Sequence, residues 1–209
     1  MTALVRFLGK RFDSLFADYD ASWLTLCAEA YRRSEAVLRT DIARKAPRLA
    51  GEPAFAEDVI RWLSTRAPLQ AVLLYRISNE IFRTEGEHPV LDHLAFIMRA
   101  TTAMEIYYSA TIGEAFTVNH GAGTVIGPRH VIGRNFTVYQ GVTVGQREIR
   151  SPDQHAIIGD RVFLFAGAKV LGALRIGDDV RVAANAVLLT DAEPGHTYAG
   201  IPARPITSA

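Results

Sequence analysis

From Ile112 onward an aliphatic residue recurs every six positions, and few folds accept that period. Ile112 and Val118 begin the pattern. Ile126, Ile132, Val138 and Val144 continue it after a jump of eight, and Ile158, Leu164, Val170, Ile176, Val182 and Leu188 resume it after a jump of fourteen. A strand repeats every two residues and a helix every 3.6, so a strict period of six needs a coil of short strands. One aliphatic per six residues puts one inward side chain on each flat side of a triangular coil. Three sides make about 18 residues per turn, so 112–190 holds about four coils. No coil buries its apolar sides alone, so the coils stack into a solenoid. Gly, Asn and Asp near the corners supply the tight turns. A β-sandwich of short strands is the alternative, but it gives no reason for twelve aliphatics to fall on three tracks of period six.

Before residue 105 the pattern is helical. DASWLTLCAEAYRRSEAVLRTDIARKAP spaces its apolar residues by three and four, with Asp20 as N-cap. PAFAEDVIRWLST reads as a shorter helix with Pro53 in its first turn. LQAVLLYRISNEIFR and PVLDHLAFIMRATTAME follow, divided by a turn around Gly86. The expectation is four or five helices over 1–104, then a solenoid over 105–209. This is an α+β chain, and its domains follow one another.

Composition closes several routes. With 23 basic and 22 acidic residues in 209 and no basic run, nothing points to nucleic acid. No apolar run reaches membrane-spanning length. The start, MTALVRFLGKRF, is interrupted by Arg6 and Lys10 and lacks a signal-peptide core, so the expectation is a cytoplasmic protein without a leader. Cys27 is the only cysteine, which excludes an internal disulfide and a thiolate zinc site.

The two breaks in phase are the places to look for chemistry. Extra residues in a solenoid loop outward, and loops on a rigid scaffold carry sites. The first break adds two residues at 120–123 and holds His120. The second adds eight within QREIRSPDQH and holds His155. His88, His93, His130 and His196 have no such context and read as surface or core residues.

These features together resemble the serine acetyltransferases, in which a helical N-terminal domain precedes a left-handed β-helix of hexapeptide repeats. The likeness runs from about Tyr75 to Pro205. VNHGAGTVIG, YQGVTVG, DQHAIIGDRV, FAGAKVLG and AGIPARPI each resemble a segment of that family. The repeat alone is shared by many acyltransferases. Two histidines 35 residues apart, with an acid 15 before the first, are more specific.

The resemblance implies an acetyl-CoA-dependent O-acetyltransferase that acts on L-serine or a serine-like hydroxy compound, without a metal. His120 is then the general base: a hydroxyl is a poor nucleophile at neutral pH, and a neutral imidazole in reach takes its proton as it attacks the thioester. Glu105 stands where the family has the acid that orients this histidine, one methylene longer. His155 matches the second active-site histidine. Either it or a backbone N–H near Gly145 and Gln146 would serve the developing oxyanion. By the same resemblance Ala166 and Ala184 hold the pantetheine arm of coenzyme A, and Lys169 and Arg181 stand at basic positions near its phosphates. Lys169 and Arg181 fit plain outward-facing corner residues equally well.

Departures from the family concern the acceptor and assembly. Asn119 replaces an Asp and Gln154 an Arg, so the charges complementary to a zwitterion are missing, and Arg147 or Arg150 is a candidate replacement cation. Glu52-Pro53-Ala54 echoes a serine-binding segment at shifted spacing. The family implies a homotrimer through the β-helix. The ending, Ser208-Ala209, implies no docking tail for a cysteine-synthesis partner. Three other readings stand beside this one: an acyltransferase for an amine or sugar, or with another acyl-CoA; a γ-type carbonic anhydrase, for which the histidine spacing is wrong; and a trimeric scaffold without activity.

Overall fold

A computed structural model describes residues 3–50, 60, 62, 65–148 and 155–206. Helices α1 (Ala3–Leu15), α2 (Ser22–Ala43), α3 (Pro47–Ala50), α4 (Ala67–Glu85) and α5 (Val90–Thr102) precede fifteen short strands among the described residues. Most of the segment expected to be a helix with Pro53 in its first turn, and with it Glu52-Pro53-Ala54, lies outside the described residues. Ile60 and Trp62, which belong to it, are helical. The Asp20 carboxylate accepts the N–H of Ser22 at 2.8 Å, as a cap should, one residue upstream of the assigned boundary at Ala21.

The strands form three parallel sheets, the sides of a triangular prism. The first stacks β1 (Glu105–Ile106), β4 (Val125–Ile126), β7 (Thr143–Gly145), β10 (Lys169–Leu171) and β13 (Val187–Leu188). The second stacks β2 (Thr111–Ile112), β5 (Val131–Ile132), β8 (Ile157–Ile158) and β11 (Arg175–Ile176). The third stacks β3 (Thr117–Val118), β6 (Thr137–Val138), β9 (Phe163–Leu164), β12 (Arg181–Val182) and β14 (Thr197–Gly200). It ends in β15 (Ala203–Ile206), antiparallel to β14.

All twelve aliphatics of the six-residue pattern are buried, and they meet in register: Ile126 on Val144, Val144 on Val170, Val170 on Leu188. Stacking, not the single coil, removes these side chains from water. The corners turn through left-handed residues. Asn135, Asp179 and Asn185 do this with φ near 60°, as composition suggests, but Ala115, Arg129 and Arg161 do so too. For these three, coil geometry overrides the local preference for negative φ.

The first coil would leave a row of unpaired carbonyls, and α4 covers it. The Tyr75 hydroxyl donates to the Ala110 carbonyl and accepts the N–H of Ile112. Asn79 Nδ2 donates to the Tyr108 and Ala110 carbonyls at 2.7 and 3.0 Å. Arg76 donates to the Ile112 and Gly113 carbonyls at 2.6 and 2.7 Å and pairs with buried Asp41 of α2 at 2.8 Å. Asp41 also accepts the N–H of Phe116 at 2.9 Å. The helices thus form a polar cap on the solenoid, which fixes the end of α2 against the first corners.

Candidate active site

The chain passes through the three sheets in order, so each corner of the prism becomes an edge with its own residues. His120 sits on the edge between the third and first sheets, in the turn from β3 to β4. One coil on, the same edge carries Gln140 and Gly141, then Ala166 and Gly167, then Ala184 and Asn185. Backbone hydrogen bonds tie these levels: Gly141 N–H to Ala122, Gly167 N–H to Gln140, and Asn185 N–H to Ala166, at 2.8–2.9 Å. A Cβ on Gly141 would stand 3.6 Å from the Cα of Gly167. Below His120 the edge therefore alternates small residues, Gly141, Ala166, Gly167 and Ala184, with the exposed side chains of Gln140 and Asn185.

His120 is exposed, with φ of 63°. It faces a cleft of about 250 Å³ closed on its other side by the helices. The described lining includes Val118 and His120 from the coil, Lys45 beyond α2, Trp62, and Arg66 to Leu69 where α4 begins. Lys45 donates a short hydrogen bond to the side-chain oxygen of Asn119, next to the histidine. Partial burial lowers the Lys45 pKa, and the charge of Arg44 adds to this. Arg44 donates to the Ala115 and Asn135 carbonyls at 3.3 Å, which pins this end of the helix to two coils. The Arg66 guanidinium lies 4.3 Å from the centre of the Trp62 ring, a cation–π contact.

Glu105, at the start of β1, is half-buried. Its carboxylate faces Arg99 of α5 at 3.5 Å, and no hydrogen bond joins it to His120 in this chain. Both partners of that pair are partly exposed, so it holds the carboxylate weakly.

His155 is not beside His120. It precedes β8, on the edge between the first and second sheets, with Gly145, Gln146 and Arg147 at the other end of the same loop. Its ring nitrogens are buried and have no hydrogen-bond partner among the described residues. One level below lies His130, with ring centroids 5.8 Å apart. Gln154 and Arg150 lie outside the described residues.

The two basic candidates for coenzyme A diverge. Lys169, in the first sheet, donates a short hydrogen bond to the Gly141 carbonyl and bonds Thr143 Oγ1 at 3.1 Å. Arg181 is exposed in the third sheet. Ala166 and Ala184 share one edge, as the repeat requires. Among the described residues no group of three or more His, Cys, Asp or Glu is placed to hold a metal ion, and no helix is long and apolar enough to cross a membrane.

Lys45, Trp62 and Arg66 escaped the sequence reading. They precede the repeats, and no spacing rule links them to His120. The one available signal was Lys45 and Arg44 as paired cations at the end of a long helix.

No protein-family model matches the chain. Over 167 residues it is 36% identical to a serine acetyltransferase of Helicobacter pylori strain J99, a match covering 80% of this chain and 97% of that protein. Over 147 residues it is 36% identical to a serine acetyltransferase of Staphylococcus aureus strain Mu50, covering 70% and 68%. Among solved structures it is similar to soybean serine acetyltransferase complexed with serine, with TM-score 0.79, 27% identity, and coverage of 97% and 82%. It is also similar to the serine acetyltransferase of Brucella abortus strain S19 in complex with coenzyme A, with TM-score 0.78, 26% identity, and coverage of 97% and 80%.

Proposed function

The chain belongs to the serine acetyltransferase family and is an acyltransferase, and from that premise we propose that it moves the acetyl group of acetyl-CoA onto the hydroxyl of a small acceptor, serine or a serine-like hydroxy compound. The observation that carries this reading is the position of His120. It stands at the head of an edge rich in Gly and Ala and lines a cleft walled on its other side by the helices.

His120 takes the acceptor's hydroxyl proton as that oxygen attacks the thioester carbonyl carbon. The carbonyl becomes an oxyanion, which needs donors in place beforehand. Collapse breaks the carbon–sulfur bond, and the imidazolium returns its proton to the departing thiolate. Gly141, Ala166, Gly167 and Ala184 leave room for a pantetheine arm along the edge, and their backbone groups supply its hydrogen bonds. Gly145, Gln146, Lys169 and Arg181 remain our candidates for the rest of coenzyme A. Lys169 would have to leave Gly141 to reach a phosphate. Glu105 orients His120 once its carboxylate leaves Arg99.

His155 is on another edge, so in this reading it serves a neighbour's His120. Two buried ring nitrogens with no partner among the described residues are costly in a finished structure. A second chain laid against that edge would supply the missing partners. This argues for a closed homo-oligomer, and the threefold prism suits a trimer. Asn119, Gln154 and Arg147 are our candidates for acceptor contacts.

The test is coenzyme A release from acetyl-CoA with L-serine, followed by thiol titration. The His120→Ala variant should lose several orders of magnitude in kcat while still binding coenzyme A. An unaltered rate would remove His120 from the base role.

A further inference from the structure

The edge that carries His155 also carries His130, one coil earlier, which has no part in the steps above. Each level of this corner sets one buried residue directly before its second-sheet strand. Three of them are apolar, Ala110, Ala156 and Leu174, and the fourth is His130. An imidazole in that row gives up its water, so the bonds it makes must account for its presence. Its Nδ1 accepts the N–H of Ala156 at 2.9 Å. Its other partner is the Val144 carbonyl. Gly127 leaves space for this second bond: a Cβ there would stand 3.4 Å from Nε2 and 3.3 Å from the Val144 oxygen.

The two bonds lie at the two stems of the second loop. Val144 is in β7, which the chain leaves through Gly145, Gln146 and Arg147, and Ala156 leads back into β8 after His155. The Ala156 N–H belongs to the planar peptide that follows His155, so a bond to it fixes the backbone torsion ψ of His155. The His155 ring stands edge-on to that of His130, at 80° with centroids 5.8 Å apart. One imidazole therefore holds both the backbone and the ring of His155. Only the neutral ring does so, because a protonated Nδ1 has no lone pair to offer Ala156.

We propose that His130 is a positioning residue for acetyl transfer, which aims the His155 side chain by bridging the stems of the loop that carries it. His130 itself is too deeply buried to touch a substrate. This rests on the acetyl-transfer reading above.

Two substitutions separate aim from stability. His130→Leu fills the space with the residue used at 174 and removes both bonds. His130→Asn keeps an acceptor close to the place of Nδ1. Acetyl transfer to L-serine is followed together with coenzyme A affinity by calorimetry and hydrogen exchange at the Ala156 amide. His130→Leu is expected to lower kcat/KM by about tenfold or more with coenzyme A affinity unchanged, and to speed exchange at Ala156. His130→Asn is expected to restore most of both. If His130→Leu does not fold, His130→Gln, which reaches toward Val144 and not Ala156, replaces it with the same expectation. Wild-type kcat/KM in the folded variant that lacks the Ala156 bond overturns the proposal. So does coenzyme A affinity that falls in step with the rate, which would mark general damage to the coil. So does a rate in His130→Asn as low as in His130→Leu while its Ala156 amide stays protected. Protection at Ala156 that follows the acceptor at 130, with no transfer by the wild type to L-serine or any other hydroxyl compound, would instead overturn the acetyl-transfer reading and leave the hold of His130 on His155 standing.

Discussion

The rings of His130 and His155 stand nearly perpendicular, with centroids 5.8 Å apart. His130 is buried, its Nδ1 accepts the N–H of Ala156 at 2.9 Å, and the Val144 carbonyl is its other hydrogen-bond partner. An acceptor Nδ1 and a donor Nε2 describe a neutral imidazole. It holds the residue after His155 in place and so fixes where the second loop rejoins the solenoid.

That geometry has a consequence for pH. Burial pushes the His130 pKa down to about 4, and the charge of His155 adds to the effect. In the unfolded chain a histidine titrates near 6.5, so between those values the unfolded state binds more protons. Stability therefore falls as pH drops through this window, by about 3 kcal/mol when complete. His130→Gln removes this term. Thermal unfolding from pH 7 to pH 5 should fall less steeply in the variant than in the wild type. Equal slopes would show that His130 is not held neutral.

The cap on the solenoid should be sensitive to breaking one half of its ion pair. Arg76 has carbonyls of the first coil and the Asp41 carboxylate around it, and Asp41 is fully buried. Asp41→Ala leaves a buried guanidinium without its anion and the Phe116 N–H without its acceptor. The expected cost is about 3–5 kcal/mol by denaturant unfolding. Activity per folded molecule should also drop, because the Lys45 end of α2 is held by this region. A loss below about 1 kcal/mol would place the strength of the cap elsewhere.

Gly121 and Gly123 share the turn after His120 and both have positive φ, 86° and 73°. Only Gly121 is crowded: a Cβ there would lie 2.5 Å from the Met104 sulfur and 3.0 Å from Val118 Cγ1. A Cβ on Gly123 meets nothing nearer than 3.7 Å. Alanine at either position pays for backbone strain of about 1–2 kcal/mol, and at Gly121 it must also displace core atoms. Gly121→Ala should be the less stable by at least about 1 kcal/mol and the slower enzyme, because its shift moves His120. Equal unfolding midpoints would mean that Met104 yields without cost.

The solenoid was legible because its inward positions obey one rule with few exceptions. Ile126, Val144, Val170 and Leu188 are aliphatic for the same reason, and the two phase breaks stand out against it. His120 and His155 became candidates on that ground. Counting sides by threes puts His120 and His155 in turns at two different corners, and the sheet order agrees. What the period does not carry is where an edge faces. Lys45 was hidden for a related reason. Its partner Asn119 lies 74 residues on, and the contact comes from the capping of the first coil by α2 and α4.

The separation of the two histidines gives the last prediction. If each site takes His120 from one chain and His155 from its neighbour, then His120→Ala and His155→Ala damage different halves. Mixed at equal amounts by co-expression or by refolding together, the two inactive variants should regenerate intact sites. With random assembly about one site in four receives both histidines, so close to a quarter of wild-type activity should return. Variants folded apart and mixed without exchange should stay inactive, which controls for residual activity in either one. A site built within one chain gives no recovery under any mixing. That result would require the loop bearing His155 to reach across the first sheet to its own His120, against the edge order of the solenoid.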